Sequence, residues 1–220
     1  MIDWGLIRAS LPDLASGLAT TFWLWAAGSV LGVVLGLAVA LLRRFGGRAL
    51  RAALGVPVWV ILGTPFLVQL FLVYYGGPYV GVALDPAPAG LIGLSVYGAA
   101  YFSEIFRAGF EAIPLGHVEA AICVGLTRAQ IVRRIMLPEM TLLVLPAATN
   151  MVVVLLKETA VLSIVTVPEL TMTITAIGSA NFAFAEATLL LALSYWGLTE
   201  LAGWAGHGLE RSLSRLRFAV

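Results

Sequence analysis

Residues 17–42 read GLATTFWLWAAGSVLGVVLGLAVALL, a run without a single charge, and Arg43 and Arg44 follow at once. A helix crosses a bilayer with about 20 mainly apolar residues, so this run is a membrane span. It is too long for the apolar core of a signal peptide, and no basic cluster precedes it in Met1-Ile2-Asp3-Trp4. An uncleaved first span is therefore expected. Further apolar stretches predict spans at about 54–75, 87–110, 140–167 and 184–204, the second closing on the turn residues Gly76-Gly77-Pro78. The first sixteen residues, with Trp4 and Pro12, are expected along the outer interface. Residues 167–182, with Pro168, Glu169 and many threonines, are too polar for lipid and are expected to form an outer re-entrant loop or short helix.

Composition points the same way. Of 220 residues, 60% are hydrophobic and 11% charged, against about 25% charged in a soluble domain. The mean hydropathy is +0.99. A net charge of +1 provides no field to gather a nucleic acid, and the lone Cys123 excludes an intrachain disulfide and a cysteine-based zinc cluster. The chain reads as an all-α polytopic membrane protein with a single domain over 1–220.

Arginines set the orientation. Arg43, Arg44, Arg48 and Arg51 follow the first span, Arg128, Arg133 and Arg134 separate the third from the fourth, and Arg211, Arg215 and Arg217 follow the fifth. Only Arg8 falls on the other side. Positive residues mark the cytoplasmic face, so the N-terminus is expected outside and the C-terminus inside, which agrees with five spans.

Two charges stand where lipid should be. Lys157, the only lysine, lies beside Glu158 in the fourth span. A charge at the bilayer centre costs roughly 2.5–3.5 kcal/mol. Their neighbours three and four residues away on the same helix are aliphatic or Ala160, so partners must come from elsewhere. The pair either ties helices together or meets a ligand, and a zwitterion brings both complementary charges. Glu104, Arg107 and Glu111 on the third span satisfy one another at spacings of three and four, or serve function. Tyr97, Tyr101 and Glu104 share a stripe that either lines a polar path or packs helices, and Asn150 sits two turns before Lys157.

The loop between the third and fourth spans, about 114–138, is the most informative part of the chain. It contains Gly116-His117-Val118-Glu119-Ala120-Ala121, then Gly125, and closes with Ile135-Met136-Leu137-Pro138. Glu119 near a helix start suits the positive dipole end. Ala120, Ala121 and Gly125 give a surface of small residues, and Gly125 is expected to end a short helix. Pro138 is expected where the fourth span starts.

Glu-Ala-Ala, three residues, Gly, nine residues, Ile-x-Leu-Pro resembles the cytoplasmic signature of membrane subunits of bacterial ABC importers. More of the chain resembles the branch that carries polar amino acids: Gly63-Thr64-Pro65-Phe66-Leu67-Val68-Gln69, with Leu62 in place of the usual arginine, and the stretch from Ala99 through Arg107. Leu156-Lys157-Glu158-Thr159, Val167-Pro168-Glu169-Leu170 and Leu209-Glu210-Arg211 are similar to its later motifs. Three positions depart from the usual pattern: His117 and Glu139 stand where glutamines are usual, and Ala160 where serine is common.

The resemblance implies a type I ABC importer permease fold in the bacterial inner membrane, and alternating access driven by a separate ATPase. A dimer of ATPase subunits would hold ATP and magnesium, a second permease subunit (identical or homologous) would complete the path, and an extracytoplasmic solute-binding protein would deliver substrate. This chain would bind no cofactor. The implied docking residues are Gly116, His117, Glu119, Ala120, Ala121 and Gly125. The implied pocket residues are Lys157, Glu158, Glu104, Tyr101, Tyr97, Asn150 and Thr64. Consistently, a phosphate-binding loop needs a lysine that this chain has only within the membrane. The resemblance leaves open an importer for another small zwitterion, such as an opine, an ectoine-like compound or a sulfur amino acid. An intramembrane enzyme is disfavoured, since His117 and His207 have no metal-binding spacing. A channel finds only a weak filter candidate in residues 171–175.

Overall fold

The computed structural model describes residues 10–217. The positions expected of Trp4 and Arg8 fall outside the described residues, as do the side chains of Arg215 and Arg217. Among the described residues the chain is helical without a strand. The helices are α1 (Leu11–Phe45), α2 (Arg48–Leu62), α3 (Phe66–Tyr74), α4 (Pro86–Glu111), α5 (Leu115–Cys123), α6 (Arg128–Ile131), α7 (Leu137–Glu158), α8 (Leu170–Ala180) and α9 (Phe184–Arg217).

α1, α4 and the continuous helical run Arg128–Val165 are long and apolar enough to cross a membrane, and α2 with α3 makes a further, broken candidate. The residues of the fifth expected span fall within α9, which is not among these candidates, so three or four of the five expected spans are met among the described residues. α1 starts at Leu11, earlier than expected, because Pro12 fits the first turn, where a missing N–H is harmless, and Asp13 faces the positive dipole end.

α4 is the helix around which the others assemble, and α1 packs on it more extensively than any other helix. One face of α1 explains this. Gly17, Thr21, Leu24, Gly28, Gly32, Gly36 and Ala40 recur at three- and four-residue spacing and are all buried. In lipid there is no hydrophobic drive between helices, so they gain by close van der Waals approach across small residues. A β-carbon on Gly28 would stand 3.0 Å from Leu94 Cβ, and one on Gly32 would stand 3.3 Å from Gly98 Cα. Phe22, Trp23, Val30 and Val34 on α1 stay exposed. Trp25 anchors the next neighbour, its Nε1–H donating to the Val152 carbonyl at 2.8 Å.

The second expected span, 54–75, is not continuous. α2 and α3 meet at 110° across Gly63-Thr64-Pro65. Pro65 has no N–H and pushes Thr64 out of the α region, so helix geometry fails there despite unbroken apolarity. The freed carbonyls need donors away from water. Gln69 supplies them: its Nε2 lies 2.8 Å from Ile61 O, 3.0 Å from Thr64 O and 3.0 Å from Thr64 Oγ1. A Gln69→Ala variant removes the side-chain donor of Thr64 O and leaves Ile61 O only its longer bonds from Thr64, and it is expected to lose about 1–3 kcal/mol. Thermal unfolding of the purified chain in detergent checks this, and an unchanged midpoint refutes the brace.

The fourth span also differs from expectation, starting well before Met140. Residues 132–136 form one wide π turn, with the Leu137 N–H bonded to Val132 O, and join α6 to α7. Pro138 cannot donate to Arg134 O and would collide with it in a regular helix, and the wider turn relieves both. At the far end α7 tightens into a 3-10 turn, Thr159–Val165, directly after Lys157 and Glu158.

Candidate functional sites

The membrane-level residues lie on α4 and α7, two helices in contact. Tyr97 is buried, its ring 5.1 Å from Phe66 and 4.7 Å from Tyr101 between centroids. Glu158 is half-buried and within electrostatic reach of Tyr97. Lys157 is exposed from the chain. Among the described residues, neither Lys157 nor Glu158 receives a hydrogen bond or ion pair from another side chain. Asn150 and Lys157 are both exposed and lie seven residues apart, so α7 presents two polar side chains on one face that this chain does not cover. The structure thus brings Tyr97, Tyr101 and Glu158 together and places Asn150 and Lys157 on the open side.

Thr64 and Glu104 have other engagements. The Thr64 hydroxyl donates to Val60 O at 3.0 Å and accepts from Gln69, so it belongs to the break between α2 and α3. Glu104 is held through both oxygens. Arg43 donates to Oε1, and Arg107 Nε donates to Oε2 at 2.7 Å. Arg107 continues to Glu111 at 2.7 Å, and Arg51 Nε donates to Arg43 O at 3.0 Å. Two guanidiniums and two carboxylates balance one another and join α1 and α4, with α2 attached through Arg51. The sequence reading found the links within α4 but had no means to find Arg43, which lies 61 residues from Glu104.

A second polar cluster was missed. Glu169, wholly buried, caps α8 by accepting from Thr171 N and Met172 N, both at 2.8 Å. Tyr195 on α9 donates its hydroxyl hydrogen to Glu169 Oε2 at 2.9 Å and accepts from Thr171 Oγ1 at 3.1 Å. Leu170 N–H donates to Thr21 Oγ1 at 3.0 Å, which ties the cap to α1. Burial pushes the Glu169 carboxyl above the usual carboxylate range, while these hydrogen bonds pull it back. An acidic residue directly before the threonine-rich run was the available signal for an N-cap. The segment expected outside is thus a short helix, one of the two forms expected.

The loop between α4 and α7 is built rigidly. Pro114 precedes α5, and α5 ends in a Schellman motif: Gly125 N–H bonds Ile122 O at 2.9 Å and Leu126 N–H bonds Ala121 O at 3.1 Å. Gly125 has φ +77°, the left-handed conformation the motif requires, and open space around its Cα. Glu119 is the fifth residue of α5, too far along to meet the dipole end as expected. Gly116, His117, Glu119, Ala120 and Gly125 are exposed. Ala121 is not: it is 3% exposed and faces the chain's own core, so the small residue there serves α5's close packing rather than an outside contact. α6 starts with a capping box, Gln130 Oε1 accepting from Thr127 N at 2.8 Å and Thr127 Oγ1 accepting from Gln130 N, a Thr-x-x-Gln signature legible in the sequence.

His117 and Glu139 find each other. His117 Nδ1 lies 2.9 Å from both Glu139 oxygens. A carboxylate only accepts, so Nδ1 carries the proton in this contact. Two departures that looked separate in the sequence form one contact between α5 and the first turn of α7.

Comparison with known proteins adds a frame. Residues 32–215 match a family described as binding-protein-dependent transport system inner membrane component. The chain is 34% identical to the L-cystine transport system permease protein TcyB of Bacillus subtilis, over 97% of this chain and 92% of that one. It is 30% identical to the glutamine transport system permease protein GlnP of Escherichia coli, over 97% and 99%. A crystal structure of an amino acid ABC transporter superposes with TM-score 0.89 at 31% identity, covering 96% of this chain and 99% of that chain. An inward-facing MetNI methionine ABC transporter shares the fold at TM-score 0.79 and 23% identity.

Proposed function

The chain belongs to the family of binding-protein-dependent transport system inner membrane components, and from that premise we propose that it is the permease subunit of an ATP-driven importer for polar amino acids or close analogues. It is a multi-pass membrane protein, and we place it in the bacterial inner membrane with the arginine-rich loops inside. Its partners in this reading are a pair of ATPase subunits, which hold ATP and magnesium, a second permease subunit and an extracytoplasmic solute-binding protein. ATP closes the ATPase pair, α5 moves with it, and the spans expose Asn150, Lys157 and Glu158 of α7 outward; hydrolysis resets the inward state. Substrate biases this exchange only through a difference in affinity between the two states. A zwitterion answers both Lys157 and Glu158, with Tyr97, Tyr101 and Asn150 nearby.

One observation carries the docking half of this reading. α5 offers an exposed face of Gly116, Glu119 and Ala120, and it is fixed at both ends by the Gly125 motif and the His117–Glu139 contact. The test is a pull-down of the tagged chain in mild detergent beside a Gly125→Trp variant. Tryptophan is strained at φ +77° and projects into the open space a partner would fill. An ATPase subunit is expected to co-purify with the wild type and to fall at least about tenfold in the variant, an effect of about 1.4 kcal/mol or more. Recovery of no ATPase with either protein, both being folded, refutes the docking role. Uptake with the matching binding protein, screened first with L-cystine and L-glutamine, the substrates named for the two relatives, then tests the substrate class.

A further inference from the structure

A cavity of about 1060 Å³ opens between the end of α1 and the α5–α6 segment, on the side that carries the arginines. Arg44, Arg128 and Arg133 line it, and no carboxylate does. Among the described residues none of these three guanidiniums has an acidic partner, although Arg43 and Arg107 close by are paired with Glu104 and Glu111. The rest of the lining is mainly apolar, with Phe45 from α1 and Met136 from the wide turn.

We propose that this cavity holds the headgroup of an anionic phospholipid. Three uncompensated guanidiniums around one opening call for a polyvalent oxyanion, and Arg forks match phosphate oxygens in pairs. The apolar lining calls for hydrocarbon at the same place. A bilayer supplies both on one molecule, and basic pockets at the cytoplasmic ends of spans are the expected sites for such headgroups. The direction of α5 separates this cavity from the docking face. At 100° per residue, Leu115, Val118 and Ile122 fall on one side and line the cavity, while Gly116, Ala120 and Cys123 fall on another and do not. The lipid therefore sits beneath α5 and steadies it from the membrane side. The site rests on the membrane reading of the chain but not on what it transports.

Native mass spectrometry of the purified chain, with phosphatidylglycerol, phosphatidylcholine or inorganic phosphate added, is the test. Phosphatidylglycerol is expected to be retained at least tenfold more than phosphatidylcholine, with phosphate alone giving no lasting adduct. Arg44→Gln/Arg133→Gln is expected to abolish this preference, and Arg128→Gln alone to weaken it. Arg48→Gln/Arg134→Gln removes the same charge outside the cavity lining and is expected to leave the preference intact. Equal retention of both lipids overturns the proposal, as does equal loss in the two double variants, which would reveal only a general surface field. Loss of ATPase co-purification in Arg44→Gln/Arg133→Gln with unchanged lipid adducts also overturns it, and assigns the cavity to the partner. Because lipid retention is read without transport, its failure leaves the importer reading untouched.

Discussion

A Gly36→Leu variant is expected to fail to yield a monodisperse folded protein. At this position α1 and α4 touch backbone to backbone: a β-carbon would stand 2.6 Å from Phe102 Cβ, 2.9 Å from Ala99 O and 3.1 Å from Ser103 N. None of these atoms belongs to the far end of a flexible side chain. The helices must separate, and with them the contacts at Gly28 and Gly32 loosen. Overpacking a core costs about 1–3 kcal/mol when side chains can adjust, and a backbone collision along the chain's main seam is expected to exceed about 4 kcal/mol. Gly197→Leu is the control, since nothing lies within 4 Å of its added β-carbon. Size-exclusion profiles and thermal unfolding of both variants decide the matter. A Gly36→Leu protein as well behaved as Gly197→Leu refutes the seam.

Lys157→Ala and Glu158→Ala are each expected to reduce uptake by about 10–100-fold while leaving ATPase co-purification intact. The reason is their isolation. The Glu158 carboxylate and Lys157 ammonium make no hydrogen bond or ion pair among the described residues and feel each other's field, so in this reading the rest of their compensation comes from outside this chain. A hydrogen bond to a charged group contributes about 1.5–3 kcal/mol, which corresponds to the stated factor at about 1.4 kcal/mol per tenfold. Uptake into proteoliposomes holding the whole complex, with KM and maximal rate separated, checks this. Unchanged uptake and KM in both variants refute the pocket assignment. If the charges instead bridge two permease subunits, the variants lose assembly and not substrate affinity, and the oligomer profile distinguishes the outcomes.

The helical class was legible because lipid leaves the sequence few options: long apolar runs must be helices. Where the structure departs, local chemistry overrides apolarity. Gly63-Thr64-Pro65 lies in a hydrophobic stretch, yet Pro65 breaks it, and only the folded chain shows that Gln69 heals the break. The glycines at 28, 32 and 36 form the seam with α4 only in the folded chain, since abundant glycine fits close helix packing anywhere and names no interface. That Lys157 and Glu158 find no hydrogen bond or ion pair on their own helix followed from spacing. Pairs such as Arg43 with Glu104, or Glu169 with Tyr195, were out of reach because they join distant segments, and nothing local distinguishes a carboxylate that will be clamped from one left open.

The contact between His117 and Glu139 has a mechanical consequence. It closes a loop of 22 residues onto the start of α7, so α5, α6 and the wide turn behave as one stiff bracket. From Glu139 to Glu158 the helix runs about 28 Å at 1.5 Å per residue. A torque applied to the bracket therefore travels along a single rod to the two charges at its far end. The regular hydrogen-bond ladder of the rod is altered at two places beyond the bracket. One is Pro146, whose missing N–H leaves Leu142 O unbonded in the helix, and the other is the tightened turn that begins at Thr159.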